Sequence, residues 1–175
     1  MKKLLRRALT SLLEAPGVGK VRRVHALEHA TITLLSQRVA DLHIAGRSTP
    51  KGFWLYGEVD TEEVRRAVHD ALALLQGGAA HLAIHPNCGT NIAVAGLVAG
   101  LASFLASASW GRRENPLNRV PRAVLAATAS VILSRPLGFW VQEHVTTSPD
   151  LAGLQVGEIR RLKRGRLTVH FVEVL

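Results

Sequence analysis

Apolar residues between positions 21 and 38 recur every three or four residues, which is the spacing of one face of an α-helix. The predicted apolar stripe comprises Val24, Leu27, Thr31, Leu34 and Leu35, and the predicted opposite face comprises Arg22, Ala26, Ala30, Thr33 and Gln37. His25, Glu28, His29 and Ile32 border the stripe, so we expect their side chains to be partly buried. The pattern predicts an amphipathic helix that packs on a core.

Three short segments have β-like patterns. They are 42–47, 53–59 and 81–86, and the turn-forming sequence Ser48-Thr49-Pro50-Lys51-Gly52 separates the first two. Near the C-terminus, Val156–Leu162 and Leu167–Val174 flank Arg164-Gly165 and predict a β-hairpin.

A second helix is predicted after residue 60. Asp60 followed three residues later by Glu63 is a variant of the capping box, and Gly77-Gly78 ends the helix. Its predicted buried residues are Val64, Ala67, Val68, Ala71, Leu72 and Leu75.

Two long apolar stretches follow residue 91. Ile92–Trp110 contains no charged residue. Ala123–Val141 contains one charged residue, Arg135, which is next to Pro136 and close enough to an end of the stretch for its side chain to reach the lipid head groups. Both approach the length of about 20 residues that crosses a bilayer core. They predict a two-helix transmembrane hairpin with a short basic linker over 111–122; the alternative is a pair of buried helices in a soluble protein.

The combined patterns predict an α+β fold in which a small polar domain carries a transmembrane hairpin. We expect a basic amphipathic segment over 1–20 and an α+β domain over 21–90. The membrane hairpin would occupy 91–141, and the C-terminal β-hairpin segment over 142–175 would join the polar domain.

Charge and cysteine content narrow the partners. The net charge of +9 is spread over small basic patches beside apolar spans, which favours anionic lipid over nucleic acid as a partner. The single cysteine excludes an internal disulfide. The apolar run after the basic N-terminus ends at Glu14 and is too short for the core of a signal peptide, which favours cytoplasmic termini. The four arginines of the linker favour the opposite orientation, with the linker in the cytoplasm and both termini outside.

The segment His25-Ala26-Leu27-Glu28-His29 carries the chemistry of a metal site. Residues four apart on a helix lie side by side, so two imidazoles can share an ion with a carboxylate beside them. The pattern resembles the inverted zincin signature of pitrilysin-like and insulin-degrading metallopeptidases. That resemblance covers five residues, in a chain far too short for that fold. It implies that His25 and His29 bind zinc and that Glu28 is the catalytic base.

His85-Pro86-Asn87-Cys88 supplies further candidate ligands. If both His85 and Cys88 bind, the coordination is complete and the site is structural; if only His85 binds, a position stays open for chemistry. Glu58, Glu143 and His144 are reserve ligands. An alternative is that Cys88 is a nucleophile whose pKa the following helix lowers.

Five short sequences together resemble an uncharacterised family of small bacterial membrane proteins, a domain of unknown function. They are His-Ala-Leu-Glu-His-Ala-Thr-Ile at 25–32, Ala-Gly-Arg-Ser at 45–48, Gly-Phe-Trp-Leu-Tyr-Gly at 52–57, Ala-Ile-His-Pro-Asn-Cys-Gly-Thr-Asn at 83–91 and Val-Thr-Thr-Ser at 145–148. The resemblance implies an integral protein of the bacterial plasma membrane and suggests that these segments form one site.

The expected function is a membrane-anchored zinc-dependent hydrolase, most simply a metallopeptidase. Its partners would be the lipid bilayer and a peptide or protein substrate, with no nucleic acid. The alternative is a non-catalytic membrane protein whose metal or polar cluster only ties the helix to the loop over 86–89.

Overall fold

The computed structural model describes residues 10–108, 117, 119–165 and 167–175, and within it the chain forms two compact units. The first unit contains the chain up to His85 together with Glu143–Leu175, and the second contains Pro86–Gln142. The predictions for residues 1–9, for Trp110 and for most of the linker over 111–122 fall outside the described residues.

The first unit is built around helix α1, Pro16–Arg38. The helix was predicted to begin at residue 21, but it begins at Pro16. Proline fits the first turn because the N–H groups there have no partner within the helix. Ala26 and Ala30 were wrongly predicted to face away from the core, since both are fully buried. The helix packs against a sheet, a second helix and a helical turn, and small side chains on its other face allow that close approach.

Four strands form an antiparallel sheet in the order β1-β2-β4-β3. The strands are β1 Ala45–Thr49, β2 Gly52–Tyr56, β3 Val156–Arg164 and β4 Leu167–Val174. β4 pairs with both β2 and β3, so the C-terminal hairpin extends the sheet of the N-terminal part of the chain. The mixed helix and strand composition of the prediction is confirmed.

One face of the sheet contributes Phe53, Leu55 and Val172 to the core. On the other face Trp54 and Phe171 stack with ring centroids 4.6 Å apart, and the Arg160 guanidinium lies over the Phe171 ring. The alternation along β2 therefore separates two different faces, as a half-buried strand requires.

Helix α2, Thr61–Gln76, begins as its capping sequence predicts. The Asp60 carboxylate accepts hydrogen bonds from the backbone N–H groups of Glu62 and Glu63, at 2.8 and 3.4 Å. The predicted stripe is confirmed: Val64, Ala67, Val68, Ala71 and Leu75 are buried, and Leu72 packs against the core.

The strand predicted over 81–86 was wrong. Ala80–Ala83 forms a 3₁₀ turn in which the neighbouring Leu82 and Ala83 are both buried. Alternation over so few residues does not distinguish a strand from a tight turn, and only packing against α1 selects the turn.

The second unit contains helices α3 Gly89–Ser107, α4 Arg119–Leu133 and α5 Arg135–Val141. A π-helical turn, Gln142–Thr146, continues α5. α3 is long and apolar enough to cross a membrane. The second predicted span is not one straight helix. α4 and the segment Arg135–Thr146 are long and apolar enough to cross a membrane only when they are taken together, and they are bent by 50° relative to each other. Pro136 in the first turn of α5 explains the break, because proline lacks the N–H that would continue the helix.

α3 and α4 pack against each other. The Ser103 hydroxyl donates to the Ala123 carbonyl at 3.1 Å, as expected of small residues between apolar helices. Gly96 and Gly100, also on α3, have no atom of the described residues outside their own stretch of helix within 4 Å of the position of an added Cβ.

Candidate metal centre

α1 brings the two histidines of the motif side by side. The His25 and His29 rings have centroids 4.3 Å apart and an interplanar angle of 62°, and His29 is almost completely buried. This is the arrangement that the four-residue spacing predicts for one face of a helix.

Each ring is oriented by a backbone carbonyl from a distant segment. His25 Nδ1 lies 3.0 Å from the Thr146 carbonyl oxygen, and His29 Nδ1 lies 2.8 Å from that of Ala83. A carbonyl oxygen can only accept, so both Nδ1 atoms must carry a proton, and in the neutral ring Nε2 then carries the lone pair. Histidines that bind metals are held in this way.

His85 adds a third imidazole. Its ring centroid lies 5.8 Å from that of His29, at an interplanar angle of 43°. Nitrogens that share a tetrahedral zinc ion at the usual bond lengths lie about 3.4 Å apart. The centroid separation makes His85 a neighbour of His29, and its role as a ligand stays a prediction.

The Glu28 carboxylate is buried against strand β1. The Ser48 hydroxyl donates a short hydrogen bond to Glu28 Oε2. Glu28 Oε1 occupies the space that a Cβ at Gly46 would fill. The orientation of Glu28 therefore depends on a hydroxyl and on the absence of a side chain, both from the segment over 45–48.

Cys88 lies in the second unit, where it caps α3. Its sulfur accepts a hydrogen bond from the backbone N–H of Thr90 at 3.4 Å. His85, three residues earlier, is the last residue of the first of the two chain segments that make up the first unit. Along the chain the two candidate ligands are therefore close neighbours.

The reserve ligands have other contacts. Glu58 Oε1 accepts from the Thr168 N–H at 3.1 Å. Hydrogen bonding from the Thr168 side chain lowers the pKa of Glu58 below its usual value; desolvation opposes this shift, and the Thr168 N–H and the charges of Arg161 and Lys163 add to it. The side chains of Glu143 and His144 are largely exposed and face each other at 3.9 Å.

His170, a residue of β4, is fully buried. Its Nε2 lies 3.0 Å from the Thr61 hydroxyl, and within the described part of the chain its Nδ1 has no hydrogen-bond partner. Burial, and then the charge of Arg161, lower the pKa of His170, against the opposing effect of Asp60 and Glu58. Alternation along β4 predicts no partner for this ring, because the partner lies on another element.

The sequence analysis did not identify Gly46, Ser48 or the backbone carbonyls of Ala83 and Thr146 as parts of the site. The available signal was the set of short sequences at 45–48, 83–91 and 145–148, since each supplies a group that contacts the motif helix. The sequence at 52–57 contributes β2 instead.

The fold and the candidate site define a small mixed helix-and-sheet protein with a histidine cluster and, among the residues that the structure describes, one helix of membrane-spanning length. Residues 20–159 match a family described as a domain of unknown function, DUF6391, and the chain belongs to this family. An uncharacterized protein of Picosynechococcus sp. is 38% identical over 149 residues, which cover 78% of this chain and 71% of that protein. No solved structure matches the chain.

Proposed function

We propose that this protein is a membrane-anchored, zinc-dependent hydrolase, most simply a metallopeptidase. His25, His29 and His85 are the zinc ligands, and Glu28 is the catalytic base. The observation that carries the proposal is the pair of Nδ1 hydrogen bonds to backbone carbonyls, which turns the lone pairs of two adjacent histidines to their Nε2 atoms.

The donors fit zinc better than a hard cation. Imidazole and thiolate are ligands of zinc, whereas calcium and magnesium take oxygen ligands. A polar cluster held together only by local hydrogen bonds would not require both rings to adopt the same tautomer. The shared tautomer supports ligation instead.

Glu28 has the position and the support of a base. It is adjacent to His29 in the chain and three residues after His25, so the three side chains project from the same side of α1. A carboxylate has about four lone-pair sites, so the Ser48 bond leaves it acceptor capacity for a water proton. Zinc in such a site lowers the pKa of a bound water and polarises a substrate carbonyl.

Membrane attachment through α3 is part of the proposal. None of the described residues in the membrane-spanning stretch of α3 is fully buried in protein, so lipid is the natural solvent for its exposed side. The bent pair of α4 and α5 is proposed as the second span, which returns the chain to the same side. We propose the bacterial plasma membrane with cytoplasmic termini.

A structural zinc site is the second candidate, and the spacing of Cys88 from His85 along the chain favours it. A thiolate three residues after His85 can reach the same ion, and four protein ligands would leave no position for water. Both candidates require a bound metal; only the first requires hydrolysis.

Metal analysis of the full chain purified in detergent tests both. We expect one zinc per chain, lost in a His25→Ala, His29→Ala double variant and kept in His69→Ala, which changes an exposed histidine of α2. Zinc-free wild-type protein that still binds none when zinc is added would refute both candidates.

Glu28→Gln separates the two candidates. In the hydrolase this variant keeps zinc but loses cleavage of a fluorogenic peptide library, and Cys88→Ala keeps zinc. In the structural site Cys88→Ala loses zinc, and the wild type cleaves nothing in the library.

A further inference from the structure

Arg22 is a buried arginine one turn before His25 on α1. Its guanidinium Nη2 donates to the carbonyl oxygens of His144 at 3.3 Å and Thr147 at 3.0 Å. Its own backbone carbonyl accepts from the Ser148 N–H at 3.1 Å. One residue of α1 therefore holds both ends of a five-residue segment.

The same segment carries the carbonyl that orients His25. Thr146 lies between the two residues that Arg22 holds, and its oxygen is 3.0 Å from His25 Nδ1. The segment begins within the π-helical turn Gln142–Thr146 and runs past its end, so its carbonyls lie at a helix C-terminus. A cation is the favoured partner for carbonyls at a helix C-terminus.

We propose that Arg22 is a positioning residue for His25: by fixing the carbonyls of His144 and Thr147 it holds the Thr146 carbonyl against His25 Nδ1 and so selects the tautomer whose Nε2 binds zinc. This inference rests on the proposed zinc site. Without the Arg22 guanidinium the Thr146 carbonyl is held less firmly, because the backbone hydrogen bond from Ser148 remains but both carbonyl contacts of the side chain are lost. The Nε2–H tautomer of His25 then competes, and that tautomer cannot bind a metal through Nε2.

A second contact of Arg22 provides a control. Nη1 pairs with the Glu14 carboxylate at 2.8 Å, but the Glu14 side chain is 63% exposed. Glu14→Gln removes this ion pair and leaves the carbonyl contacts in place. If the carbonyl contacts matter, Glu14→Gln leaves the tautomer of His25 unchanged.

The first readout does not depend on metal or activity. We would measure imidazole ¹⁵N shifts of the zinc-free full chain in detergent at about pH 8, where an ordinary histidine is neutral. The His25 signals are assigned by their loss in His25→Gln. We expect protonated Nδ1 in the wild type and in Glu14→Gln, and a mixture of tautomers in Arg22→Met.

The second readout is zinc affinity, measured by competition with a chelator. Loss of an outer-shell partner weakens metal binding by about 10–100-fold, and we expect this loss in Arg22→Met. Arg22→Lys keeps the charge without the planar fork, so partial rescue is expected. Arg38→Met is the matched control, because it breaks the Arg38–Asp70 ion pair at the other end of α1.

An unchanged His25 tautomer in folded Arg22→Met or Arg22→Lys would overturn the inference, as would an equal effect of Glu14→Gln. Far-ultraviolet circular dichroism identifies variants that do not fold, and Arg22→Lys serves if Arg22→Met is one of them. A tautomer shift in a protein that binds no zinc would refute the proposed function while the effect of Arg22 on His25 stands.

Discussion

Gly46→Ala is the sharpest test of how the fold holds Glu28. A Cβ at position 46 would occupy the place of Glu28 Oε1, so the carboxylate must leave its contact with Ser48. The φ angle of Gly46 is not positive, so alanine fits the backbone and the collision alone determines the effect.

The magnitude follows from the bond that is lost. A hydrogen bond to a charged group contributes about 1.5–3 kcal/mol, and Glu28 is only 5% exposed, so water does not replace Ser48 freely. We expect Gly46→Ala and Ser48→Ala each to destabilise the first unit by about 1.5–3 kcal/mol. Amide hydrogen exchange of α1 and β1 should then be about 10–100-fold faster.

Two controls make the result decisive. Gly17→Ala, where no atom of the described residues lies within 4 Å of the added Cβ, should change stability by less than about 0.5 kcal/mol or improve it. In a Glu28→Ala background, Gly46→Ala should cost much less, because the collision partner is gone. An equal cost in both backgrounds would refute the reasoning, and so would no cost in the wild type.

Three further predictions concern other parts of the chain. The pKa of His170 is lowered in the folded protein, so the unfolded chain binds a proton at this residue more readily. The free energy of unfolding should therefore fall as the pH drops below about 6.5 toward the folded-state pKa. Urea unfolding measured over this pH range should show a flatter dependence in His170→Gln. Asp60→Ala should destabilise α2 by about 1 kcal/mol, measured as faster amide exchange in its first turn, with Asp150→Ala as an exposed control. Pro136→Ala should reduce the 50° bend between α4 and α5, which spin-label distances across the break would detect; an unchanged distance would assign the bend to packing rather than to proline.

Much of the fold follows from periodicity. The stripe of α2 and its Asp60 cap are predicted correctly because each depends on contacts within a few residues. The strand predicted over 81–86 failed because alternation over six positions is compatible with a 3₁₀ turn, and the choice depends on packing against α1. The second predicted span is not one straight helix, as the prediction had assumed. Whether Pro136 bends the helix depends on whether neighbouring helices compensate for it, and the sequence alone does not contain that information.

In the candidate site too, some features follow from local sequence and others only from the packing of distant segments. Sequence alone determines that His25, Glu28 and His29 share one face of a helix, because helical geometry places residues three and four apart together. Only the tertiary structure brings the Ala83 and Thr146 carbonyls, 54 and 121 positions away along the chain, to the Nδ1 atoms of His29 and His25. Local periodicity contains no information about such pairs, because they form only when distant segments pack on the same helix.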